Sequence, residues 1–457
     1  MRATSAFAAA LALASGAVAG KMRYLGVAIP GIDFGCDIDG SCPTDTSSVP
    51  LLSYKGGDGA GQMKHFAEND GLNVFRISAT WQFVTNNTVD GKLDELNWGS
   101  YNKVIDACLV TGAYCMIDMH NFARYNGGII GQGGVDDDVF VNLWVQIAKY
   151  YEKNDKIIFG LMNEPHDLDV NIWAQTCQKV VTGIRKAGAT SQMILLPGTN
   201  FASVGTYVSS GSADALAAIT NPDNSTDLLY FDVHKYLDIN NSGSHVLCTT
   251  DNVQAFEDFA TWLRDNKRQA IISETGASMD PSVSDSLHFF FVFIYECMTD
   301  FCAQNKAISA NSDVYIGFVG WGAGSFDTSY ILTLTPLGEP GNYTDNKLME
   351  QCILDQFTLD SKYAPTPTSI STATETGTST PTPNPSSTGG DSPASTTPSA
   401  EKQTPSPSSK ANPVNDPSSD TNNSSKDGKS AAPSGAKALS GSLLLTGAAF
   451  GYMLIAF

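Results

Sequence analysis

The sequence predicts an α/β chain of (β/α)8, or TIM-barrel, type, followed by a disordered Ser/Thr/Pro-rich tail. Three observations predict it. Eight short apolar runs recur between residues 24 and 362. Stretches with helical spacing separate many of them, and strand alternating with helix means a parallel sheet. The span also suits eight such units, which typically take about 250 residues and more with insertions. A doubly wound open sheet is the alternative, but no G-x-G-x-x-G follows the first run, so a dinucleotide site has no support.

The elements follow in order. "YLGVAIPG" is the first strand. "VFRISA" is the second and carries Arg76. "GSYNKVIDACLVTGA" has helical spacing and leads to "YCMIDMH", which ends on His120 with Asn121 next. The helix "LWVQIAKYYEKN" precedes "IIFGLMNEP", which ends on Asn163 and Glu164. The helix "IWAQTCQKVVTGIRKAG" precedes "MILLPG". The sixth strand, "LLYFDVHKY", brings His234 and Tyr236. The helix "VQAFEDFATWLRDNK" leads to "QAIISETG", with Glu274, and "YIGFVGWGAG" closes the set with Trp321. In a barrel, chemistry sits at the C-terminal ends of the strands. Polar residues accumulate there at six of the eight.

Both ends of the chain differ from this pattern. Arg2, the apolar "AFAAALALASGAVA" and Ala17-Val18-Ala19 form a secretory signal, so residues 1–19 are expected to be removed. A spanning anchor would need roughly 20 apolar residues. The catalytic barrel is expected over 20–362 and a Ser/Thr/Pro-rich, O-glycosylated stalk over 363–430. Residues 431–457 end in "GSLLLTGAAFGYMLIAF", which carries no charge. Small residues, a polar spacer and a terminal apolar tail make a glycosylphosphatidylinositol signal, with Ser430 the expected attachment point; a tail-anchored helix is the alternative. The protein is therefore expected outside the cell, tethered at membrane or wall by lipid alone.

A net charge of −20 and a pI near 4.5 argue against nucleic acid as a partner. Export makes the nine cysteines disulfide candidates. Cys36 with Cys42 and Cys108 with Cys115 look like local staples. Cys248, Cys297, Cys302 and Cys352 are expected to form two further bridges of undetermined connectivity, and Cys177, within a helical pattern, to be buried and free. Asn86, Asn224, Asn240, Asn342, Asn422 and Asn423 stand in N-x-S/T sequons and are glycosylation candidates.

Singly, each strand-end residue has an ordinary structural reading: a paired core Arg, a satisfied His, a packed Trp, a Glu in a solvated turn. Jointly they suggest more. Two carboxylates, from strands four and seven, would face each other across the barrel mouth. That is the equipment of glycoside hydrolysis, with one carboxyl group protonating the leaving oxygen and the other attacking the sugar. Arg76 would keep the ionised one charged, Tyr236 could donate a hydrogen bond to it, and Trp321 would offer a flat face to a sugar ring.

These residues, in "GIDFGC", "HNFARYNGGIIGQGG", "MNEPHD", "FDVHKYLD", "SETG" and "GFVGWGAGSFD", resemble the fungal endo-β-1,4-glucanases (cellulases) of glycoside hydrolase family 5, from about Arg23 to Cys352. The resemblance implies a retaining mechanism with Glu164 as acid/base and Glu274 as nucleophile, and no metal or cofactor. It implies supporting or substrate-binding roles for Arg76, His120, Asn163, His234, Tyr236 and Trp321, with Asn163 on the sugar 2-hydroxyl and His120 on another hydroxyl. A monomer acting on β-glucan is expected. Mannan or mixed-linkage glucan is the nearest other substrate, and a non-catalytic, wall-anchored glycan-binding protein is the reading from another class. The chain passes from signal directly to barrel without a cellulose-binding module. The resemblance breaks at Val283 to Glu296, "VSDSLHFFFVFIYE". That segment is either an inserted loop or a translated intron: Val-Ser can be encoded GTGAGT, the Phe run requires T-rich codons, and Glu can end in AG.

Overall fold

Each of the eight apolar runs forms one strand of a closed parallel barrel, and the strands pair in chain order. They are β1 (Tyr24–Ala28), β2 (Val74–Ala79), β3 (Tyr114–Met119), β4 (Ile157–Gly160), β5 (Met193–Pro197), β6 (Leu229–His234), β7 (Ala270–Glu274) and β8 (Tyr315–Gly320). β8 pairs with β1 and closes the ring. The computed structural model describes residues 20–44, 57–90, 92–279 and 297–367. The signal peptide, Val283 to Glu296, the stalk beyond residue 367, the sequons at Asn422 and Asn423 and the anchor signal with Ser430 lie outside those residues.

Helices cover the outside: α1 (Gly59–Glu68), α2 (Glu95–Val110), α3 (Asp137–Tyr150), α4 (Val170–Lys186), α5 (Ser212–Ala217), α6 (Val253–Asp265) and α7 (Cys297–Ala310), then a last wide turn at Leu348–Leu354. Their starts are written in the sequence. The Asp58 carboxylate accepts from Gly61 N, Asp94 from Leu96 N and Asn97 N, and Asp169 from Asn171 N and Ile172 N. Each satisfies amides that a first turn leaves without partners. No helix among the described residues is long and apolar enough to cross a membrane.

Strand alternation splits the apolar residues into two cores. Leu25, Phe75, Ile77, Ile117, Phe159, Ile194, Phe231 and Phe318 face the helices. Tyr24, Val74, Met116, Ile158, Leu195, Ile271 and Ile316 belong to a second cluster that fills the barrel. The same parity turns Arg76 on β2 inward with Val74, Asp118 on β3 with Met116, and Asp232 on β6 with Tyr230. The base is closed by Lys21–Met22, which pairs with Thr358–Leu359, and by Asn73, which accepts from Leu25 N and donates to the carbonyls of Arg23 and Tyr363.

Four disulfides are present among the described residues. Cys36–Cys42 closes a loop after β1, and Cys108–Cys115 ties the end of α2 to β3. The two pairings left open by the sequence are Cys248–Cys297 and Cys302–Cys352. The first joins the β6–α6 loop to α7, and the second joins α7 to the last turn. Cys177 is free and buried, and burial raises its thiol above the ordinary range.

Candidate active site

Glu164 and Glu274 meet at the C-terminal mouth of the barrel. An oxygen of each lies within 4.8 Å of the other and of a His234 nitrogen. The chain brings them there by two local devices. After β4 the backbone turns sharply, and Glu164 has φ +44°, a left-handed conformation that a non-glycine residue adopts only when its surroundings hold it. In β7 the pairing with β6 slips: Ile272 faces Val233, and the next paired residue, Glu274, faces His234. One extra residue therefore sits on β7. That bulge turns both Ser273 and Glu274 toward the barrel axis, which strict alternation forbids.

The two carboxyl groups have different partners. Arg76 Nη1 donates to Glu274 Oε2 at 2.5 Å, and the Tyr236 hydroxyl donates to Glu274 Oε1 at 2.8 Å. Burial alone would raise the Glu274 carboxyl. The charges of His234, Arg76 and His120 and the Tyr236 hydroxyl overcome this and hold it below its ordinary value. Glu164 Oε1 lies 2.9 Å from His234 Nδ1. Burial raises its carboxyl above the ordinary value and the charge of Glu274 adds to this, while the His234 bond offsets only part of it. One group is thus poised to be ionised while its neighbour carries a proton.

Beneath this pair lies a set of groups that sequence reasoning passed over. Asp118 Oδ2 is 3.0 Å from Arg76 Nη2 and 2.8 Å from His120 Nδ1. Ser273 Oγ is 2.8 Å from His234 Nε2, which leaves Nδ1 to face Glu164. Asp232 is buried 3.9 Å from His234 Nε2, and burial raises its carboxyl. The period of two was the available signal: Asp118 precedes His120 by two, and Asp232 precedes His234 by two.

Asn163 links the two halves. Its Oδ1 accepts from Arg76 Nη2 at 2.7 Å, and its Nδ2 lies 3.1 Å from His120 Nε2. Burial lowers the His120 imidazole, but Asp118 outweighs it and pulls the group up to about 9. His120 thus holds its Nδ1 proton toward Asp118, with Nε2 facing the Asn163 amide.

Trp321 lies 7 % exposed, and His120 stacks on one face of its ring, with centroids 5.7 Å apart. At most the other face remains for a sugar. Asn121 stands apart from the others. It is fully buried, accepts from Trp81 N at 2.7 Å and donates to Gln82 Oε1 at 2.7 Å, so it supports the loop and does not reach the mouth. Asn86, Asn224, Asn240 and Asn342 are exposed.

Residues 39–324 match the family described as cellulase (glycosyl hydrolase family 5). The chain is 49% identical to endoglucanase EG-II of Hypocrea jecorina over 337 residues, 73% of this chain and 77% of that protein. It is 40% identical to endoglucanase 1 of Saitozyma flava over 361 residues, 76% of this chain and 97% of that one. The crystal structure of Cel5A (EG2) from Hypocrea jecorina superposes with a TM-score of 0.68 at 48% identity, covering 73% of this chain and 98% of that one.

Proposed function

The chain belongs to glycoside hydrolase family 5, and from that premise we propose that Glu164 and Glu274 carry out the hydrolysis of internal β-1,4-glucosidic bonds with retention. The protein is a retaining endo-β-1,4-glucanase. What supports the residue roles is the opposed perturbation of two carboxyl groups held within 4.8 Å by one histidine. A separation of about 5 Å suits direct attack and is too short to admit a water between carboxylate and sugar.

In the first step the ionised Glu274 attacks the anomeric carbon, and Glu164 gives its proton to the departing glycosidic oxygen. A covalent glycosyl-enzyme results. Glu164, now a carboxylate, takes a proton from an entering water, which displaces Glu274 and releases the sugar in its starting configuration. Arg76 and Tyr236 keep Glu274 ionised and aimed. His234, fixed by Ser273, orients Glu164 between its two states. Asn163 and His120, braced by Asp118, present donors and acceptors to the sugar hydroxyls.

The ends of the chain belong to the same proposal. Removal of residues 1–19, a stalk over 363–430, lipid attachment at Ser430 and glycans at the exposed sequons would hold a monomeric enzyme at the cell surface. Its supports are the A-x-A site, the Ser/Thr/Pro composition and the uncharged tail. Val283 to Glu296 follows Glu274 closely, and sequencing the transcript decides whether those codons are translated.

The test is the viscosity of a soluble β-1,4-glucan incubated with the full chain or with Glu274→Gln. A rapid fall, abolished by the substitution, is expected. A fall that survives the substitution removes Glu274 from its role.

A further inference from the structure

We propose that His65, Asp70 and Asp345 form a binding site for one divalent first-row metal ion, Mn2+ or Zn2+, on the outer wall of the barrel and apart from the catalytic pair. His65 lies in the last turn of α1, and Asp70 follows two residues after its end. Asp345 follows the hairpin of Leu337–Glu339 and Asn342–Thr344. His65 Nε2 is 3.0 Å from Asp345 Oδ1 and 3.8 Å from Asp70 Oδ2, and all three atoms lie within 4.8 Å of one another. Ligands about 2.1 Å from a shared ion stand roughly 3.0 to 3.4 Å from each other, so small side-chain movements would complete the set.

A second, independent feature points to a ligand. The Asp70 side chain is only 8 % exposed, yet its Oδ2 has no hydrogen-bond partner and faces this cluster. Two carboxylates have been brought together out of water with one imidazole between them. Carboxylates donate nothing to each other, so the arrangement calls for a cation or a shared proton. One nitrogen and two oxygens suit Mn2+ or Zn2+ better than Ca2+, which takes oxygen alone. Without an ion, the Asn69 amide donates from Nδ2 to His65 Nδ1 at 2.8 Å and Nε2–H faces Asp345; an ion on Nε2 moves the ring proton to Nδ1, and the Asn69 amide turns over so that its oxygen accepts it. A surface pocket lined by Lys64, Glu68, Asn69, Asn342 and Tyr343 reaches His65 and gives a route in. The ion would clamp the end of α1 to the segment that returns from β8, and so would act on stability and leave the chemistry alone.

The experiment uses the full chain freed of metal with EDTA, then given MnCl2 or ZnCl2. Bound Mn2+ is counted by electron paramagnetic resonance, and unfolding is followed thermally. One ion per chain and a rise in unfolding temperature of about 5 °C are expected. Asp70→Asn and Asp345→Asn should each lose both the ion and the rise. Glu164→Gln should keep both, which separates this site from the cluster of Glu164, His234 and Glu274. Absence of binding to the unsubstituted chain, or binding lost in Glu164→Gln and kept in Asp70→Asn, would overturn the proposal.

Discussion

The turn after β4 and the end of β7 each deliver one glutamate to the same mouth, and they do so in opposite ways. Glu274 ends a paired strand, turned inward by a bulge, with an arginine and a tyrosine on its two oxygens. Glu164 sits beyond its strand on a left-handed backbone, with His234 as its hydrogen-bond partner. Glu274 is buried and Glu164 is partly exposed, and desolvation raises both carboxyl groups. What separates them is the number of donors that oppose it. The contrast teaches that position in the barrel brings the carboxylates together, while the neighbours on β2 and after β6 decide which one is the acid.

That contrast can be broken from either side. Glu274→Gln removes the oxygen proposed to attack, and activity on every β-1,4-glucan should fall on the order of 10^4-fold or more. Glu164→Gln should slow cleavage of glucan on the order of 10^2- to 10^4-fold. Aryl cellobiosides with good leaving groups should lose far less in their first step, since they need no proton. A burst of phenol followed by slow turnover, quickened by azide, would show this. An equal loss on both substrates would remove Glu164 from the acid role.

Arg76→Lys tests what keeps Glu274 ionised. In the unsubstituted enzyme, activity should fall on the acid side as Glu274 takes up a proton, below the ordinary carboxylate range, and on the alkaline side as Glu164 loses one, above that range. Those limbs belong to the pair as a unit. A lysine keeps the charge but not the forked donors, so the acid limb should move up while the alkaline limb stays. A profile that does not move would show that Arg76 is there for packing. Asp118→Asn should have the smallest effect, on the order of 10-fold in kcat/KM. It should loosen Arg76 and His120 together, so the acid limb should shift in the same direction as in Arg76→Lys. A change in unfolding temperature with an unmoved profile would make Asp118 merely structural.

The barrel was legible because eight apolar runs and the helical spacing between them carry independent periods that agree. The groups that the structure gathers at the mouth stood out because polar side chains interrupt apolar runs at strand ends, as His120, Asn163 and His234 do. Other features were not. Alternation alone turns Glu274 outward, since no local pattern announces the bulge at Ser273. The left-handed backbone at Glu164 is imposed by the fold around it. Asp118 and Asp232 read as ordinary polar residues until parity places them inside the barrel. Asn121 looked like part of the mouth because it follows His120, but the turn buries it. The partners of Cys248 and Cys302 depend on contacts nearly fifty residues away, which sequence spacing does not encode.

Attack by Glu274, with Glu164 as the acid, is the proposed division of roles. The most direct measurement is to incubate the enzyme with a 2-deoxy-2-fluoro-cellobioside bearing a good leaving group. The electronegative substituent slows release of the intermediate, and mass spectrometry of the digest then locates the label. One labelled cellobiosyl group per chain, on Glu274, is expected. A label on Glu164, or on any other carboxylate, would contradict it.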